Sequence, residues 1–130
     1  MILSLAFVAA LGATPATPPA DFPARVLHAK LVEAGVTGPG YQKKLWAQMT
    51  EPTASALKRC IADHAPADKS PFTLVADIGA SGKSTSIDVQ PRTPVATCMA
   101  IWFATVILPP PPSLANGAVY PIEIDFSITP

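Results

Sequence analysis

Alternating apolar and polar residues mark three short stretches of this chain as strands. In the first, residues 72–78, every second residue is apolar: Phe72, Leu74, Ala76 and Ile78. This period of two predicts a strand with one buried face. Residues 84–90 repeat the pattern with Ile87 and Val89, and the sequence between the two stretches is rich in Gly and Ser. The pair is therefore predicted to form a β-hairpin.

The third alternating stretch, residues 119–128, follows a proline-rich connector. Its apolar positions are Ile122, Ile124, Phe126 and Ile128, and its polar positions are Glu123, Asp125 and Ser127. We expect the apolar set to face the core and the polar set to face outwards. Because Pro121 has no N–H to donate, the strand is predicted to lie at a sheet edge or to begin pairing after this residue.

Three other segments have helical spacing. A short helix is predicted within residues 21–40 from the positions of Val26, Leu27, Lys30, Leu31 and Ala34. Gly35 and the Gly38-Pro39-Gly40 sequence are expected to end it. Helical sequence then continues from about residue 41 to 64, where Pro52 should kink or divide it. The piece from Pro52 to His64 is predicted to form a helix of its own, capped by Thr50.

The last predicted helix starts at Thr93 and Pro94, a cap followed by a proline in the first turn, and reaches about residue 105. Its apolar residues occupy much of the helix circumference: Val95, Cys98, Met99, Ile101, Trp102 and Val106. A helix with so wide an apolar surface is expected to be well buried.

Residues 1–20 resemble a secretory signal peptide. An almost wholly apolar run from Ile2 to Leu11 is followed by small residues and prolines. The run is too short for a transmembrane helix, so no stable membrane span is expected. A buried N-terminal strand or helix is the alternative. The chain is therefore predicted to be periplasmic or secreted.

The length of the chain limits the number of domains, and its charge limits the kinds of partner that we expect. A chain of 130 residues suits one domain, and we expect it to span residues 41–130 after a helical segment and linker at 21–40. Charged residues make up 14% of the chain and balance to zero. Nucleic acid is therefore not an expected partner, because its binding requires a basic surface.

The sequence GASGKST, residues 79–85, resembles the end of a phosphate-binding loop. The full motif needs a glycine where this chain has Asp77, and a helix directly after Ser84. Here the following residues alternate as a strand does, so Gly82, Lys83 and Ser84 are assigned to the hairpin turn. We expect no nucleotide and no cofactor.

From Pro52 onwards the predicted order is helix, strand, tight Gly turn, strand, helix, Pro-rich connector and strand. With Cys98-x3-Trp102 on the second helix and GAVYPIEIDFSI after the connector, residues 54–128 resemble the TonB C-terminal domain superfamily. The AgmX/PglI-type branch is the most similar. The resemblance implies an α+β fold: a three-stranded antiparallel sheet with two helices on one face, here preceded by the helical N-terminal segment.

Cys60 and Cys98 are the only cysteines, one on each predicted helix. For an exported chain they predict a disulfide, with two buried free thiols as the alternative. A metal site with His64 would lack a nearby fourth ligand, since only His28 remains. No metal is therefore expected. No acid–base grouping stands at readable spacing either, so the chain is predicted not to be an enzyme, and an enzyme with an unrecognised site is a further alternative.

The resemblance also implies a function. In the TonB domain the third strand captures an extended segment of a partner. The corresponding partner-binding residues here would be Tyr120, Ile122, Glu123, Ile124, Asp125, Phe126 and Ser127. We therefore expect a protein-binding module of the cell envelope that pairs its edge strand with a protein or peptide. The alternative is a structural or assembly subunit of an envelope complex that makes contact through residues 21–40.

Overall fold

The structure, a computed structural model, describes residues 21–129, and the predicted signal peptide lies outside these residues. Three helices and three strands follow one another as α1 (Phe22–Glu33), α2 (Gly38–Asp63), β1 (Phe72–Ile78), β2 (Ser84–Gln90), α3 (Pro94–Phe103) and β3 (Tyr120–Phe126). A single 3₁₀ turn, Ala115–Gly117, precedes β3. The fold is α+β, and the prediction of three antiparallel strands with helices is confirmed.

The strands lie in the order β2-β1-β3, and both pairings are antiparallel. β1 is the central strand, and its apolar residues face a core shared with α2 and α3. Aromatic pairs close both ends of the β1–β3 ladder. Tyr41 of α2 meets Tyr120 edge-on, with ring centroids 4.9 Å apart, and Phe72 stacks on Phe126 at 4.6 Å.

α2 is one continuous helix and is not divided at Pro52, so this part of the prediction is wrong. A proline inside a helix costs about 3 kcal/mol, because it removes one backbone hydrogen bond and crowds the preceding turn. Burial on both sides of Pro52 offsets that cost. One stripe of the helix enters the core: Tyr41, Leu45 and Met49 before the proline, and Ala56 and Cys60 after it.

α2 also begins at Gly38, so the predicted breaker forms its first turn. Pro39 is compatible with this position, because the first N–H groups of a helix have no partner inside the helix. Gly38 is needed where α2 leaves α1: a Cβ atom there would lie 1.8 Å from the carbonyl oxygen of Glu33. The two helices therefore meet closely across a short connection.

α1 packs on the sheet face opposite α2 and α3. It contacts β3 and β1, with Ala29 buried on the side where Val75 points away from the main core. Arg25 reaches across this face to the carboxylate of Asp77, 3.8 Å away, and donates a hydrogen bond to the carbonyl oxygen of Ser86. α1 thus covers part of the second face of the sheet.

Apolar residues of two helices are exposed. On α1, Leu27 and Leu31 are 60% and 64% exposed, and the small residue Ala29 is the buried one. On α3, Ile101 is 67% exposed, so this helix is buried on one side only, through Val95, Met99 and Phe103. Its predicted start is confirmed, because the Thr93 hydroxyl accepts a hydrogen bond from the N–H of Ala96.

Candidate partner-binding edge

The outer edge of β3 has unpaired peptide groups. Because Pro121 cannot donate, its pair with Asp77 must be of the non-hydrogen-bonded type. In an antiparallel ladder the two types alternate, so the residues that exchange hydrogen bonds with β1 are Tyr120, Ile122, Ile124 and Phe126. The N–H and C=O groups of the residues between them point away from the sheet.

Three outward-facing N–H groups follow from this alternation, those of Glu123, Asp125 and Ser127. Within residues 21–129 none of the three donates a hydrogen bond. Ser127 lies just beyond the last residue of β3 and is exposed. The other predicted site residues have a different role: Tyr120, Ile122, Ile124 and Phe126 are buried, with peptide groups turned towards β1. These four residues hold β3 against β1, and the three polar residues provide the N–H groups that face away from the sheet.

The opposite edge of the sheet, at β2, is obstructed. The pairing of β1 with β2 is interrupted between Val75 and Asp77, where Ser86 adopts a φ of 51°. An extra residue of this kind bends a strand and disturbs the row of edge groups. Beyond this bulge, the Asp88 carboxylate accepts a hydrogen bond from the outward N–H of Val89 at 2.8 Å. Of the two edges, only β3 presents a regular row.

The bulge also keeps β2 in register with the core. Ser84 and Val89 are both buried, although five residues apart they would point to opposite faces of a regular strand. The extra residue at Ser86 restores a common face. It also exposes the Ser86 carbonyl oxygen to Arg25, so the irregularity of β2 is tied to α1.

Carboxylates line the α1 side of the β3 edge. Glu123 and Asp125 point to this side, because they pair with Val75 and Thr73 of β1, and the Thr73 hydroxyl donates to the Asp125 carboxylate at 2.7 Å. Burial, and then the neighbouring Asp125 carboxylate, raise the pKa of Glu123 to about 6, while Lys30 of α1 opposes the rise. One Glu123 carboxylate oxygen is buried and has no hydrogen-bond partner within residues 21–129.

An apolar helix flank lies on the other side of the same edge. α3 packs on β2 and α2, and the disulfide joins Cys60 of α2 to Cys98 of α3. α2 reaches β3 through Tyr41, whose ring meets that of Tyr120. It carries three half-buried residues that pack against the core: Trp46, Leu57 and Ile61. The β3 edge thus lies between an apolar flank and an acidic one.

The raised pKa of Glu123 predicts a pH-dependent stability. A carboxyl group whose pKa is raised on folding favours the folded state below its unfolded value, 4.5, and this contribution is lost as the pH rises towards 6. We expect Glu123→Gln to increase the free energy of unfolding by about 1 kcal/mol at neutral pH, a figure reduced for the partial exposure of the side chain.

Urea unfolding of the wild type and this variant at pH values on either side of that window measures the effect. The gain should vanish at acidic pH, where the wild-type carboxyl group is protonated and neutral. Asp63→Asn, a change on an exposed carboxylate at the end of α2, is the matched control. A gain of equal size at both pH values would show that ionisation of Glu123 is not its cause.

The GASGKST sequence forms the predicted hairpin turn. Its last two residues, Ser84 and Thr85, already belong to β2 and not to a helix, so the helix N-terminus that a phosphate loop requires does not follow Ser84. Lys83 is exposed and forms an isolated β-bridge with Ile107. The turn therefore joins the hairpin to the connector after α3.

The predicted disulfide is present: Cys60 and Cys98 are bonded, with Cα atoms 5.8 Å apart. This bond removes both thiols from any metal site with His64. Within residues 21–129, no three His, Cys, Asp or Glu side chains are grouped as metal ligands would be. No helix in the same range is long and apolar enough to cross a bilayer.

Sequence reasoning missed the part that α1 plays at the edge. Lys30 and Glu33 both influence the pKa of Glu123, which places them near the β3 edge. The residues whose spacing predicted this helix do not include Ala29 or Arg25, which make its contacts with the sheet. An alanine flanked by charged residues is a weak pattern, and only the tertiary structure shows what it contacts.

The described residues define a small α+β domain in which the pairing of β2 is interrupted by a bulge and the pairing of β3 is regular. Comparison with known proteins finds no matching family model, no matching curated protein and no matching solved structure. The resemblance to the TonB C-terminal domain superfamily stays a prediction from the sequence, and the case for a function rests on the geometry of the edge.

Proposed function

We propose that this protein is a non-enzymatic binding module that captures an extended segment of a partner protein on the outer edge of β3. The observation that carries the proposal is the row of outward N–H groups at Glu123, Asp125 and Ser127, set against the obstructed edge of β2. Such an edge can gain main-chain hydrogen bonds from an added strand, while side chains on the two flanks supply specificity.

The compartment that we propose for this protein is the periplasm or the outside of the cell. Disulfides persist in oxidising environments, and the Cys60–Cys98 bond joins two helices of the core. Together with the signal-like residues 1–20, this supports a periplasmic or secreted protein, whose partner would then lie in the cell envelope. Neither a nucleotide nor another cofactor has a part in this function.

A second candidate function, assembly into an envelope complex, has its own observation. Leu27 and Leu31 stand one turn apart on the outer side of α1 and are both largely exposed. Two neighbouring leucines could contact another subunit without the sheet edge taking part. Deleting α1 would not test this, because the deletion would also uncover the second face of the sheet at Val75.

The two functions are separated by two variants and their controls. Ser127→Pro removes one outward N–H and should weaken capture of a partner about tenfold, while Ser127→Ala keeps that N–H and should bind as the wild type does. Leu27→Glu with Leu31→Glu alters only exposed side chains. The partner is first isolated by pull-down from envelope extracts with the mature protein.

The measurement is the affinity of that partner for each variant by titration calorimetry. Loss of binding in the proline variant alone supports edge capture. If the partner binds the proline variant normally and the double glutamate variant poorly, edge capture is wrong and assembly through α1 takes its place.

A further inference from the structure

The two flanks of the β3 edge differ in chemistry, and an added strand would meet both of them. Successive side chains of a strand point to opposite faces of a sheet. Every second side chain of a captured segment would therefore lie on the α1 side, next to Glu123 and Asp125. The side chains between them would lie on the α2 side, the face of the sheet whose core Trp46 and Leu57 pack against.

The α1 side of the edge is rich in negative charge. The carboxylate of Glu33 acts on Glu123 in the same direction as that of Asp125, so both raise the pKa of Glu123. Among residues 21–129, Lys30 is the only basic group that influences the pKa of Glu123. The geometry of α1 is consistent with this position of Lys30 and Glu33. Arg25 extends from one side of the helix towards β2, and Lys30 and Glu33 lie on the other side, towards β3.

Self-association through this edge is opposed by the same charges. Two copies pairing their β3 strands about a twofold axis would place residues of equal face opposite each other. In registers centred on residues 123 to 125, an acidic side chain of one copy would face an acidic side chain of the other. Like charges directly opposite in a sheet are destabilising, so a second copy is a poor occupant of this edge.

The α2 side of the edge favours apolar side chains in a captured strand. Trp46, Leu57 and Ile61 are half-buried and uncharged, and they pack against the core that contains Ile124 and Phe126, each of which remains 8% exposed. An added strand with apolar side chains on this side would extend the core and remove that surface from water. A charged side chain there would lose its hydration without gaining a partner.

We propose that the β3 edge is specific for a strand in which basic and apolar residues alternate, with the basic residues against the carboxylates of Glu123, Asp125 and Glu33. This inference rests on the proposed capture of an extended segment. It adds the chemistry of the partner: a lysine- or arginine-bearing strand whose intervening residues are aliphatic. The same arrangement disfavours an acidic strand and a second copy of this protein.

Labelled nine-residue peptides test the proposal by fluorescence anisotropy. One alternates valine with lysine, one valine with glutamate, one valine with glutamine, and a fourth has the valines and lysines of the first in two blocks. The proteins are the wild type, the double variant Glu123→Gln and Asp125→Asn, Ser127→Pro, and Ser127→Ala as the matched control. The double variant removes charge while keeping both outward N–H groups.

We expect the valine–lysine peptide to bind the wild type about fivefold more tightly than the valine–glutamine peptide and to bind better than the block peptide. The valine–glutamate peptide should bind most weakly. In the double variant the preference for lysine over glutamine should disappear. Ser127→Pro should weaken every alternating peptide, and Ser127→Ala none of them.

The failure of this inference and the failure of the proposed function give different results. If lysine and glutamine peptides bind the wild type equally and Ser127→Pro weakens both, the edge captures strands but the basic partner is wrong. If the block peptide binds as well as the alternating one and Ser127→Pro has no effect, the attraction is only electrostatic and edge capture itself is wrong. Absence of binding by all alternating peptides also overturns the proposal.

Discussion

Removing the disulfide, by Cys60→Ala together with Cys98→Ala, is expected to lower the free energy of unfolding by about 4 kcal/mol. The bond joins α2 to α3 across a sequence separation of 38, and the loop that it closes contains the whole β1–β2 hairpin. Cross-linking a loop of this length restricts the unfolded chain far more than the folded one. In a domain of this size, such a loss is a large fraction of the total stability.

Urea unfolding of three samples measures this effect: the oxidised wild type, the wild type under reducing conditions, and the double variant. The reduced wild type keeps both sulfur atoms in the core, so its difference from the oxidised protein isolates the cross-link. The further difference of the double variant reports the packing lost at Cys60, which is 3% exposed. A reduced wild type as stable as the oxidised one would contradict the prediction.

The strands could be predicted from the sequence because one face of each is buried. Phe72, Leu74, Ala76 and Ile78 all lie in the main core, as their alternation indicates. The edge position of β3 could be predicted from Pro121 alone, because a residue without an N–H group limits where a strand can lie in a sheet. Predictions of this kind succeed when the relevant physics acts within a few residues of the chain.

The helices were harder to predict because tertiary contacts decided their outcome. Pro52 breaks a helix on local grounds, but the buried stripe of α2 continues from Met49 to Ala56 and holds the two halves together. In α1 the spacing of Leu27 and Leu31 predicted a helix, but the residue that is buried is Ala29. Local propensity is a weak guide where packing of this kind opposes it.

The residues of the candidate site were named from the sequence, and their use in binding stays a prediction. The outward positions Glu123, Asp125 and Ser127 follow from the alternation of β3. The contribution of α1 could not be predicted, because Lys30 and Glu33 are separated from Glu123 by most of the chain and no periodic pattern relates them. The obstruction of β2 also depends on the backbone at Ser86, which carries no sequence signal for a positive φ.

The glycine in the Gly82-Lys83-Ser84 sequence has a structural role that replaces the phosphate-binding interpretation. Gly82 has a φ of +88°, a conformation that residues with a Cβ rarely adopt. Its carbonyl oxygen accepts a hydrogen bond from the N–H of Leu108 at 2.9 Å. Leu108 is 2% exposed, so this contact fastens the connector after α3 to the hairpin turn.

We expect Gly82→Ala to lower the free energy of unfolding by about 3 kcal/mol, because the added methyl group meets two obstacles. It would lie 2.0 Å from the carbonyl oxygen of Leu108, and the backbone would be strained at its positive φ. Gly79→Ala in the same turn is the matched control, since its methyl group would lie 3.6 Å from the nearest atom, an ordinary contact. Thermal and urea unfolding of both variants against the wild type measure the difference. Equal stability of the two variants would show that Leu108 is not held against the turn, and the glycine would again need another explanation.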